Sequence, residues 1–463
     1  VARTPTEDEV ARAFAAGAPL DLSGHADREV RAEVLRGLLI GGPGAGAEPL
    51  PALRLTGAIV RGQLSLVHAD VAAVVSLEEC SFEAPPDLHG AHLRRLNLAR
   101  STFPGMVAWS LTVDGNVRLS ECRSTAEIRL VGADIGGTLN LDGAELDGDV
   151  AADVPALNAT GVRVGGDLRA EGGFVSRAEI RLNTAVIGGA MRWEGARIQA
   201  LFAPDLSVGA IADLCEGFTA TGEVHLAYAA VRSRLCFDNA VLKGRLVLRH
   251  LETRELFLAT AGPPPLVDLS HARIGVLRDD PPSWPPVLHQ DGLSYDSIAW
   301  SADRLAWLRR DPRGYRPHAY GQLAQAYRRE GRLAAARAVL LAGERHRRSA
   351  LPWGARLWGL VQDWAVGYGY LPARAAGWLA ALVVLGTAVF RTVPPAAVEP
   401  GKAPPFHAVM YALDLLLPLI DFGQERAFVP RDGTEWLAYA LTAAGWILAT
   451  TIAAGATRAL RRE

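Results

Sequence analysis

Eleven histidines, four cysteines and 50 carboxylates are the residues in this 463-residue chain that could carry acid–base, thiol or metal chemistry. Their spacing does not assemble a catalytic centre. There is no C-x-x-C and no Cys/His pattern with zinc spacing. G-x-S-x-G and H-E-x-x-H are also missing. His89 and His92, with Asp87 beside them, read as a surface turn, and Asp279–Asp280 before Pro281–Pro282 reads as a turn rather than a carboxylate dyad. Glycines 42, 44 and 46 invite a phosphate-loop reading, which fails because no strand precedes them and no helix follows. No cofactor or metal site is expected. The segment Phe406–Gly423 could do transport chemistry. It is too apolar for an ordinary loop and too short to cross a bilayer. A re-entrant or interfacial helix over 406–420 is the first reading. The alternative is a pore loop at 406–424. Pro418, Asp421, Phe422, Gly423 and Gln424 would then lie at the filter, with Asp421 forming a ring of carboxylates in an oligomer. A second functional cluster is basic. Residues 304–356 hold 13 Arg and three acids. Among them Arg345, Arg347, Arg348 and Arg356 suit anionic lipid headgroups, at about 1 kcal/mol each near a membrane surface.

These residues need a membrane to act on, and the sequence supplies candidate spans. Ala375 to Phe390 is uncharged between Arg374 and Arg391, and Trp436 to Thr457 is uncharged over 22 residues. A span needs about 20 apolar residues, so spans are expected at about 375–393 and 436–457. The loop from 392 to 434 holds only Lys402, Arg426 and Arg431 as bases. The positive-inside rule therefore places both ends in the cytoplasm of a bacterial inner membrane. Residues 1–20 hold acids and no long apolar core, so no signal peptide is expected. Charge divides the chain the same way. Residues 1–300 carry 27 Lys+Arg against 38 Asp+Glu, whereas 301–463 carry 21 against 12; together they give the net −2. With 49% hydrophobic and 21% charged residues the chain is not disordered. Nucleic acid is disfavoured as a partner, since no groove-reading motif accompanies the arginines.

The first 300 residues are repetitive. Glu127–Gly148 reads EIRLVGADIGGTLNLDGAELDG and Glu179–Ala200 reads EIRLNTAVIGGAMRWEGARIQA, with ten of 22 positions identical. Glu223–Gly244 and Leu53–Val71 share the frame A-x-[IVL]-x-x-x-[LM]-x-[LWF]-x-x-A-x-[IVL]. Leu139 and Leu141 alternate onto one strand face, and Ala133 and Ala144 fit corners where only a small residue has room. Glycines 136–137, 143, 188–189 and 195 are expected to allow the turn dihedrals. One such coil cannot bury its inner face alone, and stacking completes the core. The fold expected is mainly β: a right-handed, pentapeptide-like β-solenoid. A leucine-rich horseshoe would need an asparagine ladder that is missing. Cys80 and Cys122 fall at small corner positions as buried hydrophobes, Cys236 is expected to face outward between Leu235 and Phe237, and Cys215 finds no role.

Four domains follow. Residues 1–46 form an N-terminal helical cap, with Thr6 and Glu9 as a capping box and Asp27 capping a second helix. Residues 47–285 form the solenoid. Residues 286–365 form an Arg-rich helical neck, in which Leu323, Ala324, Tyr327, Gly331, Ala336 and Leu340 match one tetratricopeptide-like hairpin. Residues 366–463 form the membrane domain.

Several stretches look familiar together: RAEVLRGLLIG (31–41), YGQLAQAYRREG (320–331), VGYGYLPARAAGWL (366–379), LDLLLPLIDFGQ (413–424) and AAGWILATTIAAGATRALRR (443–462). The chain resembles an actinobacterial family of membrane-anchored, pentapeptide-like β-solenoid proteins, over nearly its full length. Members are often labelled membrane-associated oxidoreductase; no activity is established for the family, and no cofactor motif here receives that label. The function expected is non-enzymatic: a membrane-tethered cytoplasmic scaffold or sensor that binds a protein partner or self-associates through its solenoid. The alternative is a subunit of an oligomeric ion channel.

Overall fold

The computed structural model describes residues 3–41, 52–299, 304–349, 351–369, 372–399, 401–417, 420–431 and 433–460. The chain divides into two compact units, Val1–Gln322 and Leu323–Glu463.

The first unit is a β-solenoid of about 11 turns. Most coils contribute four short strands, each stacking in parallel on its equivalent one coil away. One pair of coils shows the register: Thr112↔Asp134, Val117↔Leu139, Arg123↔Glu145 and Ile128↔Leu157. Inward Leu139, Leu141, Ala133, Ala144, Ala185 and Ala196 are buried, as the repeat predicts. Cys80 and Cys122 are buried at 1% exposure, and burial pushes both thiols up to about 12. The glycines act by two different physical routes. Gly143 and Gly195 take positive φ at a corner. Gly136 and Gly188 do not; a Cβ at either would lie 2.4 Å from a carbonyl oxygen of the coil before. Close approach of coils, not a turn dihedral, is what demands glycine there.

Two details of the cap differ from the sequence expectation. Helix α1 (Pro5–Ala16) is capped by Thr4 and Glu7, not Thr6 and Glu9. Pro5 favours the first helical turn and draws the start back. Helix α2 (Ala32–Gly41) starts after Asp27, because Glu29–Arg31 pairs with Ile59–Arg61 as a strand. Glycines 42, 44 and 46 lie outside the described residues. At the other end, stacking passes residue 285. Val287–His289 and Ser294–Ile298 still pair with the preceding coil, since Pro281–Ser283 make a 3-10 turn rather than a stop. Arg304, in the short helix α3 (Arg304–Leu308), seals this end. Its guanidinium pairs with buried Asp279 and lies between the rings of Trp284 and Trp307, 5.1 Å from each.

Helix α4 (Pro317–Arg329) contains the boundary between units. In the second unit Gly331, at positive φ, separates it from α5 (Leu333–Ser349). Next come α6 (Trp353–Val366), α7 (Pro372–Thr392), α8 (Ala408–Leu416), α9 (Gln424–Ala427) and α10 (Glu435–Leu460). Residues Arg374–Thr392 are long and apolar enough to cross a membrane, with mean hydropathy 1.6. Among the described residues this is the one helix that passes, where the sequence predicts two. Helix α10 coincides with the second predicted span, but its side chains from Thr451 onward lie outside the described residues. Helix α8 packs against α7 and α10 through Phe390, Tyr411, Leu415, Leu416 and Leu441. Gly386 and Gly445 permit the approach: a Cβ at Gly445 would lie 2.3 Å from the Leu416 carbonyl oxygen.

Candidate functional site

The segment expected to be a re-entrant or interfacial helix, or alternatively a pore loop, is organised around a residue that the sequence did not single out. Asp414, at the end of α8, is buried, and its carboxylate accepts backbone N–H bonds from Phe422 (2.7 Å), Gln424 (2.8 Å) and Glu425 (2.8 Å). It thereby folds 420–425 back onto the helix. Asp421, by contrast, is half exposed, accepts from Gly423 N at 2.7 Å and pairs with Arg426 at 3.1 Å. Phe422 and Gly423 are exposed, whereas Gln424 is buried, accepting from His407 N at 3.1 Å. Pro418 lies outside the described residues.

The predicted lipid-contact arginines divide into two groups. Arg345 and Arg348, on α5, converge on Asp363 of α6 at 2.9 and 3.0 Å. Burial raises the Asp363 carboxyl, but the two guanidiniums outweigh it and hold the group below the usual carboxylate value. Arg347 pairs with Glu344 at 2.8 Å, and Arg356 donates to the carbonyls of Ser349 and Leu351. Arg345, Arg348 and Arg356 therefore tie α5 to α6, while the Arg347 pair lies within α5. What they orient is an apolar stripe missed in the sequence: Trp353, Leu357, Leu360 and Trp364 are 82%, 60%, 50% and 65% exposed. Their spacing of four, three and four residues is one face of a helix. The same spacing stands in the linear chain, beside the arginine-rich stretch. On α7, Val384 and Leu385 are likewise exposed.

On the solenoid the parallel register builds outward rows. One runs Asn97, Arg118, Asn140, Arg169, Arg192, Asp213, Cys236, Phe257 and Arg278, one residue per coil. Coils stack at about 4.8 Å, so the row holds side chains at a fixed pitch. Its first half lines an open groove of about 380 Å³ with Arg95, Asn97, Asn116, Arg118, Asn140 and Arg169. Some donors there are spoken for: Arg169 reaches Asp142 at 3.1 Å and Glu171 at 2.8 Å. Others face solvent, as Arg95 and Arg118 are exposed. The groove thus presents the guanidiniums of Arg95 and Arg118, suited to carboxylates or backbone carbonyls, with Asp167 also in its wall and the amides of Asn97 and Asn140 engaged by Glu78 and Asp142. A second row, at a corner, is aromatic: Tyr228, His250 and His271 stack with ring centroids 4.5 and 4.9 Å apart. His68, His89 and Trp109 form a looser version at 5.0 and 5.4 Å. His92 lies in a strand rather than in a surface turn and faces outward, 2.9 Å from Asp114, and that bond raises its pKa. Asp279 is no member of a dyad, for its partner is Arg304. Such rows escape a local motif search because their members are about 21–29 residues apart along the chain.

No protein-family profile, no curated protein and no solved structure matches the chain.

Proposed function

We propose that this protein is a membrane-tethered scaffold or sensor whose solenoid binds a protein partner or a second copy of itself. The observation that carries the reading is the in-register outward row of Asn97, Arg118, Asn140 and Arg169, partly free and set at a repeat pitch. A polypeptide laid along the stack would meet the exposed guanidinium of Arg118, with Asn97, Asn140 and Arg169 held at the same pitch by their bonds to Glu78, Asp142 and Glu171. The membrane half of the proposal takes α7 and α10 as two spans, with α6 lying in the interface on Trp353, Leu357, Leu360 and Trp364. Arg345 and Arg347, about half exposed beside their carboxylate partners, then border anionic headgroups, both ends and the solenoid lie on the cytoplasmic side of a bacterial inner membrane, and tethering concentrates the solenoid there. The oxidoreductase label and the actinobacterial family come with the resemblance alone.

The test is photo-crosslinking of the full chain in native membranes. A crosslinker at Arg118 should capture a discrete partner or a second copy, and the Arg95→Glu/Arg118→Glu variant should lose it. Capture that is equally strong from Arg123 on another face, or unchanged in the charge-reversed variant, would remove the groove from the proposal. The alternative, an ion-conducting oligomer, rests on the exposed Asp421 carboxylate. It requires a tetramer-sized mass in detergent and a flux changed by Asp421→Asn.

A further inference from the structure

The outward row changes character at its middle. Asp213 and Cys236 are direct cross-strand partners, and Cys215 lies two residues beyond Asp213. By strand alternation all three point away from the core, whose side is taken by Leu214, Leu235 and Phe237. Yet Asp213, Cys215 and Cys236 are only 4%, 6% and 5% exposed. Two thiols and a carboxylate side by side, off the hydrophobic core and shut from water, are not explained by packing. The inward corner cysteines Cys80 and Cys122 have no such company.

We propose that Asp213, Cys215 and Cys236 form a binding site for a thiophilic divalent cation, with Zn²⁺ the best match. Their donor atoms all lie within 4.8 Å of one another. A tetrahedral zinc with Zn–S bonds of about 2.3 Å places two sulfurs about 3.8 Å apart, so a movement of about 1 Å closes the shell. Glu194, one coil earlier and exposed, has Oε1 3.8 Å from Cys215 Sγ and supplies a fourth ligand from the solvent side. The soft sulfurs and hard oxygens suit zinc rather than magnesium or calcium. Arg234 holds Asp213 from outside the shell at 2.9 Å and stands 5.7 Å from the Phe257 ring. Four anionic ligands, a divalent cation and that guanidinium leave a net charge of −1, against −4 for the four ligand anions alone. Asp213 and Cys236 sit opposite each other on paired strands, so these two donors are held in register before metal arrives. Without metal the two thiols carry their protons near neutral pH, as ordinary thiols do. Binding forms two metal–sulfur bonds and releases two protons to water, with no change of oxidation state.

The experiment uses the full chain in detergent, stripped with chelator under reducing conditions and titrated with Co²⁺ as a spectroscopic stand-in for Zn²⁺. The expected result is one Co²⁺ per chain, with a sulfur-to-cobalt charge-transfer band that Zn²⁺ bleaches. Cys215→Ser and Cys236→Ser should each weaken binding at least about tenfold, while Cys80→Ala and Cys122→Ala keep the band. A wild-type protein without the band overturns the proposal whatever the variants do. So does binding that Cys236→Ser leaves unchanged, or a metal-free Cys215–Cys236 disulfide in protein purified without reductant. Zn²⁺ should also raise the wild-type unfolding midpoint and leave that of Cys236→Ser unmoved; equal shifts refute the site.

Discussion

Glu7 ties the N-terminal cap to the first coil, and its charge state sets how firmly. The side chain is 1% exposed. Its carboxylate accepts from Arg31 Nε at 2.8 Å, Arg31 Nη2 at 2.5 Å, Arg31 N at 3.1 Å and Thr4 N at 2.9 Å. The Arg31 guanidinium is the main cause holding the carboxyl down, from 4.5 to about 2, against the opposing push of burial. At about 1.4 kcal/mol per pH unit, that fall corresponds to about 3 kcal/mol of stabilisation. Because the folded value is depressed, the contribution is complete above pH 4.5 and is lost as pH falls toward 2. Glu7→Gln removes the charge at every pH. The variant should therefore open its cap about 3 kcal/mol more easily at neutral pH, and the gap to wild type should close in acid. Hydrogen exchange of a peptide covering 5–16, corrected for intrinsic rates, measures the opening. A gap that is the same at about pH 5.5 and about pH 2.5 would refute the reasoning, since only a depressed carboxyl produces the convergence.

Other consequences follow from packing. Arg304→Met leaves Asp279 buried without its cation and should cost about 3–5 kcal/mol, while Arg304→Met/Asp279→Leu recovers most of it; urea midpoints decide, and a single variant within about 1 kcal/mol of wild type would sink the idea. Gly188→Ala forces a Cβ to 2.4 Å from the Gly165 carbonyl oxygen and should cost about 1–3 kcal/mol, whereas Gly24→Ala, with nothing within 4 Å, should be close to neutral in the same assay. Asp414→Ala strands three backbone N–H groups at about 1–3 kcal/mol each, and Asp421→Ala far less; protease resistance of the second unit in detergent should fall sharply only for Asp414→Ala.

The solenoid was legible in the linear chain because its rule is local. Alternation places Leu139 and Leu141 on one face, and many corners carry small side chains such as Ala133, Ala144, Cys80 and Cys122, although Phe174 and Phe218 fill the equivalent corner in other coils. The alternation recurs from coil to coil, so the period shows. The apolar run that becomes α7 was legible for the same reason: a 19-residue span needs no partner to be recognised. The capping box was misplaced by two residues, since Pro5 shifts the helix start.

What surrounds each coil was decided only in three dimensions. The row from Asn97 to Arg278 exists because parallel coils stack in register, and no short motif encodes residues a full coil apart. Cys236 could be assigned to the outer side by alternation, but its burial beside Asp213 and Cys215 could not. Asp414 shows the same limit: in the linear chain it is one acid in an apolar segment, and Asp421, seven residues on, was the more visible carboxylate. Folding reversed their roles, because a buried carboxylate must find hydrogen-bond donors, and the 420–425 turn offers three backbone N–H groups to Asp414.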